Sequence, residues 1–117
     1  MRKVTINTLN TMKQQGERFS VLAAYDASFS QLIAEAGIEC LLVGDSLGMT
    51  IQGHDTTVPV TLEQMCYHVE AVRRGNHQSL IIGDMPFGSY NSIDDAQLAA
   101  TALMQAGSHM VKLERGE

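Results

Sequence analysis

The stretch SFSQLIAEAGIECLLVGDS, residues 28–46, holds one complete turn of the pattern that organises this chain. Ser28-Phe29-Ser30-Gln31 reads as a capping box, in which hydroxyl and amide satisfy open N–H groups of a first helical turn. Phe29, Leu32, Ile33 and Ala36 then recur at helical spacing, and Gly37 stops the helix. A short apolar run, Glu39-Cys40-Leu41-Leu42-Val43, follows as a strand and ends on Gly44-Asp45-Ser46.

The same pattern returns twice. Thr61-Leu62-Glu63-Gln64 opens a helix with Leu62, Met65, Cys66, Val69 and Val72 on one face; Arg73 and Arg74 complement its last turn before Gly75. The strand Ser79-Leu80-Ile81-Ile82-Gly83 comes next and ends on Asp84. Ser92-Ile93-Asp94-Asp95 opens a third helix, through Ala96, Ala99, Leu103 and Ala106 to Gly107, and the strand His109–Leu113 ends on Glu114. Upstream, Phe19–Tyr25 reads as the first strand and roughly Thr8–Gly16 as a short helix. Short apolar strands alternating with helices predict parallel strands joined by crossover helices. Two architectures fit: a doubly wound open sheet, or part of a (β/α)₈ barrel.

Composition narrows the classes. The 117 residues predict one domain, 1–117, with no linker-like segment. A formal charge of −5 argues against a nucleic-acid partner. The longest apolar stretch is too short for a membrane span or a signal-peptide core, so a soluble, cytoplasmic protein is expected, with no membrane partner. Cys40 and Cys66 are too few and too far apart for a disulfide framework or a zinc site. The seven methionines, Met65, Met104 and Met110 among them, read mostly as core filler.

In either parallel architecture the carboxyl ends of the strands form the active face. With neighbouring strands about 4.8 Å apart, Asp45, Asp84 and Glu114 should converge. Three carboxylates together call for a cation, because like charges raise each other's pKa. Oxygen ligands without His or Cys favour Mg²⁺. Each acid alone also fits a helix cap or turn; Asp26, close to the Ser28 cap, is read as a turn residue. Lys112 shares its side of the sheet with Glu114. The long loop Ser46–Pro59 is a candidate lid or binding loop, and its His54 reads as an exposed residue ahead of an acid/base. His68 and His77 read as surface residues and His109 as structural. Gly44-Asp45-Ser46-Leu47 spells the GDSL signature of serine esterases, but no Asp-x-x-His pair follows to supply the base. Gly83–Gly88 has the wrong glycine spacing for a dinucleotide or phosphate loop.

Leu42–Thr50, Gln52–Thr57 and Pro59–Thr61 closely resemble the ketopantoate hydroxymethyltransferase family. Tyr67-His68, Ala71–Gly75, Gly83–Phe87 and Met110–Glu114 continue the resemblance in order. It implies a TIM (β/α)₈ barrel of the phosphoenolpyruvate/pyruvate superfamily, of which this chain would supply an N-terminal helix and about four strands. It implies transfer of a hydroxymethyl group from 5,10-methylenetetrahydrofolate to 3-methyl-2-oxobutanoate, giving ketopantoate for pantothenate and coenzyme A synthesis. Asp45, Asp84 and Glu114 match the residues that hold Mg²⁺ in the family, and Asp45, Ser46, Asp84 and Lys112 those that bind the 2-oxo acid. The metal would act as a Lewis acid on the enolate of the acid, Lys112 would offset its charge, and Ser46 would fix its oxygens. A ring-like homo-oligomer is also implied.

The family carries Gly-Gly after its glutamate, where this chain has Arg115-Gly116, a cation beside the site. The family's chain is more than twice as long, and its glutamate base and a further histidine would lie beyond Glu117; no catalytic base is assigned within 1–117. The alternative expectation is a truncated, non-catalytic half-barrel that binds Mg²⁺ and a 2-oxo acid or assembles with a partner half, because four strands cannot close a barrel. Other Mg²⁺-dependent lyases and aldolases of the superfamily would share the carboxylates but not the Gly44–Thr61 block.

Overall fold

The computed structural model describes residues 3–113. Its elements are α1 (Ile6–Gln14), β1 (Val21–Ala23), α2 (Ala27–Glu35), β2 (Cys40–Val43), α3 (Leu47–Thr50), α4 (Leu62–Gly75), β3 (Leu80–Asp84), α5 (Ile93–Ala106) and β4 (Met110–Lys112). The four strands form one sheet in the order β1-β2-β3-β4, and every pair is parallel. That is the strand order of one half of a (β/α)₈ barrel, in which each strand pairs with the next in sequence. A doubly wound sheet would reverse its order at a switch point.

Alternation along the strands sorts the two faces. Leu41 and Val43 of β2 and Ile81 of β3 point to the helices and pack with Met65, Val69 and Val72 of α4 and Ala99 and Leu103 of α5. Leu42 and Ile82 point to the other face and stay partly exposed. Parallel sheets are ordinarily covered on both faces.

The helices start where their caps put them. Thr61 and Gln64 form the expected capping box of α4, and the Ser92 hydroxyl accepts the Asp95 N–H at the head of α5. Helix α1 begins on a Thr5–Thr8 box. Gly107 ends α5 with φ of 130°, a backbone conformation that L side chains rarely adopt.

Several expectations are corrected. Helix α2 is capped by Asp26, whose Oδ1 accepts the Phe29 N–H at 2.8 Å, so it begins ahead of Ser28. Its buried residues are therefore Ser30, Ile33 and Ala34, while Phe29 and Leu32 are exposed. Helix α4 runs through Gly75 to an Asn76 cap. The segment after β2 is not all loop, because it contains α3. Strand β1 is shorter than read; its three residues have a partner strand on one side only among the described residues. Met65 is buried, but Met104 and Met110 are exposed and fill no core.

At the amino ends of the strands, one buried side chain binds the sheet to its helices and another binds strand to strand. Asn76 is buried, and its amide makes a full set of four hydrogen bonds. Nδ2 donates to the Ser30 carbonyl and to Ser79 Oγ, and Oδ1 accepts from the Gln78 and Ser79 N–H groups. Beside it, His109 Nδ1 accepts the Ile81 N–H at 3.0 Å, while the His109 N–H donates to the Ile81 carbonyl at 2.7 Å.

That acceptor role requires Nδ1 without a proton. Burial first, then the charges of Arg73 and Lys3, hold the His109 imidazole below its ordinary value of 6.5. The unfolded chain therefore binds more protons than the folded one below that pH, so stability falls as pH drops from about 6.5 toward the folded value and is retained above it. Denaturant midpoints measured from pH 7.5 to 5 should fall in acid. In His109→Asn, whose Oδ1 can accept the same N–H without titrating, that component of the fall should disappear.

Candidate active site

The register decides what meets at the carboxyl end. Val43 stands opposite Gly83, and Asp84 opposite Lys112. Gly44 is thus level with Asp84, and these positions share the sheet face that carries Leu42 and Ile82. Asp84 is buried and Asp45 half-buried, and Asp84 Oδ2 accepts the Asp45 N–H at 3.0 Å. That backbone bond holds the buried carboxylate against the turn that follows β2.

Ser46 heads α3 with helical φ and ψ of −58° and −15°, and its side chain makes no cap hydrogen bond. Instead Ser46 Oγ lies 2.8 Å from the hydroxyl of Tyr25. Tyr25 sits just beyond β1, half-buried, with its ring packed against the core. Its carbonyl accepts a hydrogen bond from His68 Nδ1 on α4 at 2.7 Å, which fixes the proton on that ring nitrogen. His68 is therefore not the surface residue expected of it.

Tyr25 went unnoticed in the sequence, although it stands at a strand end in the same way as the three acids. Asp26 beside it serves only as the α2 cap.

The structure thus brings Asp45, Ser46 and Asp84 together, with Lys112 opposite Asp84 in the ladder. Glu114 and Arg115 lie outside the described residues. Among the described residues no three His, Cys, Asp or Glu side chains gather as a metal site by themselves. Two side-chain oxygens nonetheless face the same position: a methyl group on Gly44 would lie 3.4 Å from both Asp84 Oδ2 and Ser46 Oγ. Two oxygens, the donor type a hard ion such as Mg²⁺ prefers, and the Leu42 Cδ2 methyl at 3.8 Å border that position.

The segment after α3 folds back as a packed turn. The His54 N–H donates to the Gly48 carbonyl at 2.8 Å, while the His54 ring is exposed. Gly48 lies against buried Val60. Neither cysteine suits nucleophilic chemistry. Burial pushes both thiols up, with Glu39 adding at Cys40, and Glu70 and then Glu63 at Cys66.

The sequence model of ketopantoate hydroxymethyltransferase matches residues 3–117. The chain belongs to the ketopantoate hydroxymethyltransferase family. It is 62% identical over 111 residues to the 3-methyl-2-oxobutanoate hydroxymethyltransferase of Alcanivorax borkumensis and 59% identical over 111 residues to that of Marinobacter nauticus, in each case 95% of this chain. It spans 42% of the length of those two relatives. Among solved structures it resembles 2,3-dimethylmalate lyase, a member of the PEP mutase/isocitrate lyase superfamily, with a TM-score of 0.73. That likeness covers 95% of this chain and 40% of the lyase at 17% identity, and so shows the fold alone. The fold expected from the resemblance, a part of a (β/α)₈ barrel, is the one found. No helix among the described residues is long and apolar enough to cross a membrane.

A methyl group at Gly48 would overlap Val60 Cγ2. Gly48→Ala should therefore cost about 1–3 kcal/mol of stability, as overpacking does, and should expose residues 51–60 to a broad-specificity protease. Denaturant unfolding and limited proteolysis check both effects.

Proposed function

We propose that the chain carries the 2-oxo acid and metal subsites of a 3-methyl-2-oxobutanoate hydroxymethyltransferase. In this reading the whole protein transfers a hydroxymethyl group from 5,10-methylenetetrahydrofolate to 3-methyl-2-oxobutanoate, giving ketopantoate. The observation that carries it is the convergence of Asp84 Oδ2 and Ser46 Oγ above Gly44, in a chain of this family.

Asp45 and Asp84 would hold Mg²⁺, with Glu114 as a third ligand. Bound there, the ion would polarise the keto and carboxylate oxygens of the acid and make its C3 proton easier to remove. The chain's own groups do the positioning. The Asp45 N–H keeps the Asp84 carboxylate in place, so that it is already oriented when the acid arrives. Ser46 presents a hydroxyl to a substrate oxygen. Lys112, across the ladder from Asp84, offsets the negative charge of the acid. Removal of the C3 proton is assigned to no described residue. The acid would enter from the carboxyl end of the sheet, where Ser46 and Lys112 are exposed.

Calorimetry tests the reading directly. Binding of 3-methyl-2-oxobutanoate to the chain should require Mg²⁺, and Asp84→Asn should remove it while leaving the unfolding midpoint near that of the unaltered chain. Equal binding by Asp84→Asn, or binding indifferent to Mg²⁺, would exclude the site.

A further inference from the structure

We infer that Tyr25 is the positioning residue for Ser46, setting the direction in which the serine offers its proton to the 2-oxo acid. The inference rests on the proposed function for the identity of the ligand, but the arrangement that carries it is visible in the chain itself.

Three observations converge. First, Ser46 has helical backbone at the head of α3 and its hydroxyl caps nothing; that hydroxyl lies 2.8 Å from the Tyr25 hydroxyl. Second, Tyr25 is held at both ends. Its ring packs on the core cluster, and its carbonyl is bound by His68 Nδ1 from α4. The phenol is thus a fixed point, and the serine, one rotatable bond from an exposed backbone, is the group it orients. Third, Ser46 Oγ borders the same small space above Gly44 as Asp84 Oδ2.

A hydroxyl has one proton to donate and two lone pairs to accept with. When the phenol donates to Ser46 Oγ, the serine proton is released from the pair and can point into the Gly44 space, toward an oxygen of the acid. Chains of this kind polarise one another, so the serine becomes a better donor than it would be alone. Without the phenol, the Ser46 hydroxyl loses the partner that selects among its staggered rotamers. Tyr25 therefore acts through Ser46 and touches no reacting atom. His68 is one step further out, steadying the Tyr25 backbone.

Tyr25→Phe keeps the ring and removes only the hydroxyl. In the presence of Mg²⁺ it should weaken 3-methyl-2-oxobutanoate binding about three- to tenfold, the range for loss of one hydrogen bond, with the unfolding midpoint unchanged. In a Ser46→Ala background the same substitution should have no further effect, because the group it orients is gone. A second readout needs no ligand: in chain labelled with ¹³C-tyrosine, Ser46→Ala should shift the ring Cζ resonance of Tyr25, identified by its loss in Tyr25→Phe. Undiminished binding by Tyr25→Phe, an equal loss in both backgrounds, or an unmoved Cζ resonance would each overturn the inference. Failure of the unaltered chain to bind the acid with Mg²⁺ would overturn the proposed function and the ligand-directed role with it, while the Cζ shift would still report the Tyr25–Ser46 bond separately.

Discussion

The pairing of Val43 with Gly83 and of Asp84 with Lys112 is the constraint from which the candidate site follows. Side chains alternate along a strand, so a slip of one residue would carry Asp84 to the helix-covered face, among Leu103 and Val72, and turn Ile81 outward. The cost of burying a carboxylate in an apolar core excludes that arrangement. The buried row of Leu41, Val43 and Ile81 thus fixes the register, and the register in turn places Asp84 beside Gly44. The apolar core and the polar site are two results of one pattern of alternation.

The two ends of the sheet use polar groups differently. At the amino ends, Asn76 and His109 are engaged with backbone and hydroxyl partners and serve cohesion. At the carboxyl ends, Asp84 holds the turn after β2 through the Asp45 N–H, and Ser46 pairs with Tyr25. Barrel folds commonly keep stability below and chemistry above, and the proposed site follows that division.

What could be read from the sequence was local. Thr61 and Gln64, Ser92, and Gly107 announce their helix ends through contacts within a few residues, and those positions were readable. The α2 start was misread because Asp26 and Ser28 both suit a cap; extended backbone at Asp26, just past β1, decides for the aspartate. Helix α3 is hidden because it is only four residues long, with Gly48 and Thr50 weakening Leu47 and Met49 as helix formers, and is held by the turn packed on Gly48. Asp84 at the end of β3 and Asp45 just past β2 are legible as strand-end acids from their positions. The bonds of Tyr25 to Ser46 and His68 join residues 21 and 43 positions apart, and no spacing rule carries such information.

Asn76 has a consequence for how the chain can be altered. Its four bonds tie α2, the end of α4 and the start of β3 into one knot, and Ser79 extends it to the Ile38 carbonyl. Lengthening the connection between residues 76 and 79 by even one position would strand buried donors and acceptors together. The connection between Phe87 and Ser92 is exposed at Phe87, Gly88, Asn91 and Ser92, but it lies at the carboxyl end of the sheet with the candidate site, and its Tyr90 packs against the core. Inserted tags, sensor domains or new termini would therefore disturb the scaffold at the first connection and the approach to the proposed site at the second.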